Sequence, residues 1–116
     1  RTITWVVTNF PSGHSERWME GTNIAFCFAE SPAGHLTHAA KAPHEMFFYV
    51  ISGVINARVG RKKRRTKMGD VIHVPRGSSY ELVAAKGEPA RHAAVRSTPR
   101  LEAHIDKHGA ADNWRG

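Results

Sequence analysis

A two-residue alternation of apolar and polar side chains runs through most of the chain and restricts it to short, half-buried strands rather than helices. Thr2 to Asn9, Asn23 to Glu30, Met46 to Ser52, Val54 to Val59, Asp70 to Val74, Tyr80 to Ala85 and Arg91 to Arg96 all read as strands. Turn signals separate them: Pro11-Ser12-Gly13, Ser31-Pro32-Ala33-Gly34, Ser52-Gly53, Lys67-Met68-Gly69-Asp70, Pro75-Arg76-Gly77-Ser78 and Lys86-Gly87-Glu88-Pro89. That spacing predicts an all-β sandwich or closed barrel. Only the end departs from it, where Arg100 to His108 predicts a short helix stopped by Gly109, with His104 and His108 on one face as a surface pair.

With 116 residues the chain suits one domain, residues 1–116, large enough to bury its own core. Alternation also assigns faces. Met46, Phe48 and Val50 point one way and Phe47, Tyr49 and Ile51 the other, and both sets are apolar, so this strand is expected to be covered on both sides. Cys27 has no intrachain partner and sits within Ile24-Ala25-Phe26-Cys27-Phe28, where a thiol acts as a small hydrophobe. No run of 18 apolar residues and no leader of basic then apolar residues is present, so the expectation is a cytoplasmic protein that does not enter a membrane.

The formal charge of +7 favours an anionic partner. Much of the excess lies in Gly60-Arg61-Lys62-Lys63-Arg64-Arg65, read as the solvated tip of a hairpin; without interleaved aromatic residues it does not point to nucleic acid.

Glycines frame two segments, Gly34 to Gly53 and Gly69 to Ala84. In the first, five residues separate Gly34 from position 40, one separates 40 from 42, three separate 42 from 46 and six separate 46 from Gly53; in the second, five residues separate Gly69 from Pro75, one separates Pro75 from Gly77 and two separate Gly77 from position 80. These segments resemble the two signature motifs of the cupin family, G(X)5HXH(X)3-4E(X)6G and G(X)5PXG(X)2H(X)3N, over a motif-bearing core of Ile24 to Arg96. The resemblance implies an antiparallel jelly-roll barrel, and, with the two-sided apolar strand, a homodimer.

Cupins hold a metal ion with two histidines, a carboxylate and a third histidine. Those four positions are here Ala40, Ala42, Met46 and Tyr80. A methyl group cannot ligate, a thioether suits hard divalent ions poorly, and a phenol ionises only near pH 10, so neither a metal nor any other cofactor is expected. Ala40, Ala42, Met46, Phe48, Tyr80 and Leu82 are the expected ligand pocket, with His38, Asn23 or Asn56 at its rim. Their composition fits both an open apolar cavity and a core that Met46 and Tyr80 fill.

His38 and His44 share the parity of positions 40 and 42 and are the expected inward histidines, while His35 and His73 are expected to face away. Arg17, Arg58, Arg91 and Arg96 are candidates for an anionic group. The leading functional expectation is metal-independent binding of a small anionic or carbonyl-containing molecule. The alternative is a metal-free isomerase, cyclase or lyase with His38 or His44 as base and Tyr80 as proton donor; a metalloenzyme with His38, His44 and Tyr80 as unusual ligands is a third. Metal-free cupins acting on sugar nucleotides also use a histidine and a tyrosine, but their histidine pattern differs from this one.

Overall fold

The computed structural model describes residues 6–109. Ten strands and one helix follow in order: β1 (Val6–Asn9), β2 (Ser15–Glu20), β3 (Ile24–Ser31), β4 (Leu36–Ala39), β5 (Met46–Ser52), β6 (Ile55–Val59), β7 (Lys62–Thr66), β8 (Val71–Val74), β9 (Tyr80–Ala84), β10 (Ala90–Ser97) and α1 (Pro99–His108). The part of the expected first strand before Val6 lies outside the described residues. No helix among them is long and apolar enough to cross a membrane.

All pairings are antiparallel and build two sheets, one in the order β1-β2-β3-β10-β5-β8 and the other β4-β9-β6-β7. Strands that are neighbours in sequence mostly lie in different positions of the sheets, so the chain crosses repeatedly between two layers. This is the jelly-roll arrangement.

Alternation places the core between the layers. On β5, Met46, Phe48 and Val50 are buried against Ile72 and Val74 of β8 and Ala94 of β10. Phe47 and Tyr49, on the other face of β5, are 47% and 48% exposed. Among the described residues, none supplies the expected second cover of Phe47 and Tyr49. Cys27 is buried in the core cluster, and burial, with the Glu16 charge, pushes its thiol up to about 12, which keeps it in the unreactive protonated form.

Three strands, β2, β4 and β7, are not among those read from the sequence. β2 has no apolar alternation, and the basic run is not a hairpin tip: Gly60 and Arg61 make the turn, and Lys62 to Thr66 form β7, the last strand of its sheet. A sheet edge tolerates such a strand because its side chains reach water and its charges discourage pairing with another chain.

The helix begins at Thr98, whose hydroxyl accepts from the Leu101 amide at 3.3 Å and donates to the Thr22 carbonyl at 2.8 Å; Pro99 opens the first turn. Gly109 closes it, its amide donating to the Ile105 carbonyl at 2.7 Å. His104 and His108 lie together on its surface, ring centroids 4.7 Å apart and planes tilted by 43°.

The turn between β5 and β6 depends on Gly53. Its φ is 75°, and a Cβ there would lie 2.5 Å from the Pro89 carbonyl oxygen. Gly34 has a similar φ of 82° but open space around it. Gly34→Ala should therefore cost about 1 kcal/mol from the backbone alone, and Gly53→Ala about 3 kcal/mol or more from backbone and collision together. Urea denaturation midpoints of the two variants test this, and equal losses would remove the argument from the Pro89 contact.

Candidate functional site

Which side chains of β4 face the interior is decided by β9. The two pair with Ala39 opposite Tyr80, His38 opposite Glu81, Thr37 opposite Leu82 and Leu36 opposite Val83. Directly paired residues project to the same side, and Tyr80 and Leu82 are buried. Ala39 and Thr37 therefore go inward, and His38 goes outward to solvent with Leu36. The expectation that His38 lines the barrel is corrected on this ground.

The chain then bends at Ala40 and Lys41, so alternation does not carry across to Ala42. Ala40 is exposed, which removes it from the expected pocket. Ala42 is buried and tied to the Pro75–Ser78 turn, its amide donating to Ser78 at 2.7 Å and its carbonyl accepting from Gly77 at 2.8 Å. Asn23 and Asn56, placed at the rim, are also exposed.

His44 does not face inward either. Its Nδ1 lies 2.9 Å from the Glu102 carboxylate of α1, which also accepts from the Ser97 hydroxyl at 2.6 Å. Burial alone would raise the Glu102 carboxyl, but these two hydrogen bonds outweigh it and hold it below the usual range. His44 is thus an anchor for the helix. His73 points outward as expected, with Nε2 2.7 Å from Glu45 and its ring stacked on Phe47.

Ala42, Met46, Phe48, Tyr80 and Leu82 belong to one contiguous buried cluster. The motif positions 40, 42, 46 and 80 offer two methyls, a thioether and a phenol that burial, with the Glu16 charge, holds protonated beyond its usual range. This donor set does not fit a divalent ion. Among the described residues no group of three or more His, Cys, Asp or Glu side chains has the arrangement to hold a metal.

The polar groups inside the barrel come from elsewhere. β2 pairs with β3 so that Glu16 lies opposite Ala29 and Trp18 opposite Cys27, both buried; this aims His14, Glu16 and Trp18 inward and Arg17 outward. A tight turn precedes them, Gly13 donating to the Phe10 carbonyl at 2.9 Å and Phe10 to that of His14 at 2.8 Å. The Glu16 carboxylate accepts from the Trp18 indole and from His14 Nε2, each at 2.9 Å. Because an ionised carboxylate only accepts, Nε2 carries the proton, and in the neutral ring Nδ1 accepts from the Ser31 hydroxyl at 3.0 Å. Burial raises the Glu16 carboxyl, and its bonds to His14 and Trp18 and the charge of His14 more than reverse that.

His35, expected to face away, lies flat on His14, with ring centroids 4.1 Å apart and planes 3° from parallel. Its position is fixed by Gly34 donating to the Ala84 carbonyl at 2.7 Å and its own carbonyl accepting from Ala84 at 2.9 Å. The stack joins β2 of one sheet to the start of β4 in the other. Burial and the His14 charge lower the His35 imidazole below its ordinary value.

His92, on β10, is buried at 6% exposure, and its Nδ1 has no hydrogen-bond partner among the described residues. The Phe48 ring meets it edge-on at 5.3 Å and tilts against Tyr80 at 6.2 Å, so one phenyl group touches both. Burial, helped by the charges of His14 and His35 and opposed by Glu16, drives the His92 imidazole down to about 4, which keeps it neutral. A neutral imidazole and a protonated phenol thus both pack against Phe48. Of the proposed arginines, Arg58 holds Glu81 at 3.4 Å, Arg91 approaches Glu30 at 3.6 Å, Arg96 lies over the Trp18 ring at 4.7 Å, and Arg17 is exposed.

Neither β2 nor His92 stood out in the sequence. The spacing His14-x-Glu16-x-Trp18 is a signal that would have found the first, since a strand puts all three on one face.

The buried imidazole makes stability depend on pH in a stated direction. Between its ordinary value of 6.5 and its folded value of about 4, the unfolded chain binds the proton and the folded chain does not. Stability is therefore full above that window and falls as pH drops through it, by about 3 kcal/mol at most for this group. His92→Leu should flatten the slope of unfolding free energy between pH 6.5 and 4. An unchanged slope in urea melts across that range would assign the acid sensitivity to other groups.

Comparison with known structures agrees with this architecture. An RmlC-like cupin from Shewanella frigidimarina superposes with a TM-score of 0.72 at 14% identity, over 85% of this chain and 88% of that one. A cupin-2 domain from Rhodospirillum rubrum gives 0.72 at 14% identity over 98% and 89%. The Cnp3 cupin domain of Schizosaccharomyces pombe gives 0.66 at 25% identity over 81% and 67%. No curated protein sequence matches. The family model described as the cupin domain matches residues 28–95, more than half of the chain. With that match, the motif frame and the two jelly-roll sheets, the chain belongs to the cupin family.

Proposed function

We propose that this protein is a metal-independent cupin that binds a small organic molecule bearing a carbonyl or carboxylate group inside its barrel. The observation that carries the reading is the buried, unpartnered His92 Nδ1 in an otherwise well-paired interior. A buried polar atom without a partner costs on the order of 1–3 kcal/mol, and a ligand oxygen with a proton to share, or a proton to accept, removes that cost. Tyr80, held protonated, is the complementary donor.

The same pair favours a second reading, a proton-transfer enzyme of the isomerase, cyclase or lyase type. A neutral His92 takes a proton from carbon beside a carbonyl as the Tyr80 hydroxyl hydrogen-bonds the oxygen, and the Glu16 carboxylate acts electrostatically on both. His38 and His44, on the outside, have no part in it.

The protein works as a homodimer in this proposal. Ile24, Phe28, Phe47, Tyr49 and Val71 are exposed on the outer face of the six-stranded sheet, where a second copy related by a two-fold axis removes them from water. A cytoplasmic setting is part of the same reading, consistent with the single buried thiol.

A thermal-shift screen of short keto and carboxylic acids tests the binding. A true ligand raises the melting temperature of the native protein and loses that effect in His92→Leu; ligands that stabilise both equally would overturn the assignment. For the enzyme, exchange of the ligand's α-proton in D2O, followed by NMR, should stop in Tyr80→Phe while binding persists. Sedimentation should report a dimer for the native chain and a monomer for the Phe47→Lys/Tyr49→Lys double variant, whereas a monomeric native protein refutes the two-fold interface.

A further inference from the structure

The two sheets meet along two seams, and they differ. The seam between β2 and β4 is closed by the His14–His35 stack. The seam between β7 and β8 is not closed by hydrogen bonds, because each strand is the last of its sheet. A cavity of about 520 Å³ lies along it, lined by Ala57, Val59, Lys62, Lys63, Arg64, Thr66, Val71, Ile72 and His73.

The lining divides into a floor and a rim. Ala57, Thr66 and Ile72 are buried and form the floor, and the Thr66 hydroxyl is committed to the Ile55 carbonyl at 2.6 Å. Val59 and Val71 extend the apolar wall. At the rim stand Lys62, Lys63 and Arg64, which make no ion pair among the described residues, and His73, already held by Glu45 at 2.7 Å. The adjoining edges of β7 and β8 add backbone amides that no strand pairs, a setting that suits anions.

From this we infer that the β7–β8 seam is a binding site for an amphipathic organic anion, its acidic head on Lys62 and Arg64 and its apolar tail on Val59, Ala57 and Ile72. The site is separate from the one at His92 and does not depend on it. Protection of a sheet edge explains cations on β7, but it needs no apolar cavity beneath them. A volume of several hundred cubic ångströms with apolar walls and a few charged groups is the form that small-molecule sites take. The lining supplies a built-in control. Lys62 lines the seam alone, Lys63 and Arg64 line both the seam and a different groove beside Asn56 and Glu81, Arg65 lines only that groove, and Arg61 lines neither.

Calorimetric titration of the native protein with octanoate at about 0.15 M salt, where long-range attraction is screened, tests the site. Saturable binding at one octanoate per chain is expected, weakened about tenfold or more, the equivalent of losing one good ion pair, in Lys62→Gln/Arg64→Gln. Arg61→Gln/Arg65→Gln removes the same charge from the same hairpin and should change affinity by less than about twofold. Octanamide should bind at least about tenfold more weakly than octanoate, and inorganic phosphate should not saturate the site. Equal loss in the two double variants would reduce the effect to bulk charge and overturn the proposal, and so would octanamide binding as well as octanoate. Tight binding of a 20-nucleotide single strand that octanoate does not displace would reassign the strand to nucleic acid. His92→Leu leaves octanoate binding unchanged if the two sites are separate, so failure at one does not count against the other.

Discussion

Antiparallel register governs everything inside this barrel. Because side chains alternate across a strand, a shift of one residue carries each of them through the sheet from core to solvent. The pairing of Ala39 with Tyr80 sends His38 out, and the pairing of Glu16 with Ala29 sends a carboxylate in. Neither outcome follows from hydrophobicity, which would have kept Glu16 in water. Both follow from the neighbour strand, whose own apolar residues leave it no choice of side.

An interior carboxylate survives only when its lone pairs are occupied. Here the indole of Trp18 and the imidazole of His14 do so, Ser31 completes the histidine, and His35 covers the imidazole face. The result is a polar closure of one seam beside a core cluster of Ala, Val, Ile, Leu, Phe, Met, Cys and Tyr side chains. Against that complete network the open nitrogen of His92 is conspicuous, which is why the functional reading rests on it rather than on the better-connected His14.

The sequence was legible where a strand carries its own pattern. Met46 to Ser52 is an unbroken apolar run closed by Ser52 and Gly53, and its limits coincide with β5, and the turn glycines and Pro75 mark the frame of the family. Legibility failed where a strand's inward residues are polar or where a bend interrupts counting. β2 hides because its interior face is His14, Glu16 and Trp18, and β7 hides because four consecutive cations show no period at all. Parity counted back from positions 40 and 42 gave the wrong face for His38 and His35, since the bend at Ala40 and Lys41 breaks the alternation. Tyr80, on an unbroken strand, was placed inside correctly.

β10 is the last described strand, yet it lies between β3 and β5 in the middle of the larger sheet. Until it arrives, β3 and β5 have no partner for the edges that face each other, and Ala90, His92 and Ala94 are missing from the core. Assembly of the barrel must therefore wait for residues that leave the ribosome late, and partial chains present two open apolar edges that invite pairing with other chains. In a barrel built this way, the exposure of unpaired edges before the last strand docks follows from topology rather than from final stability.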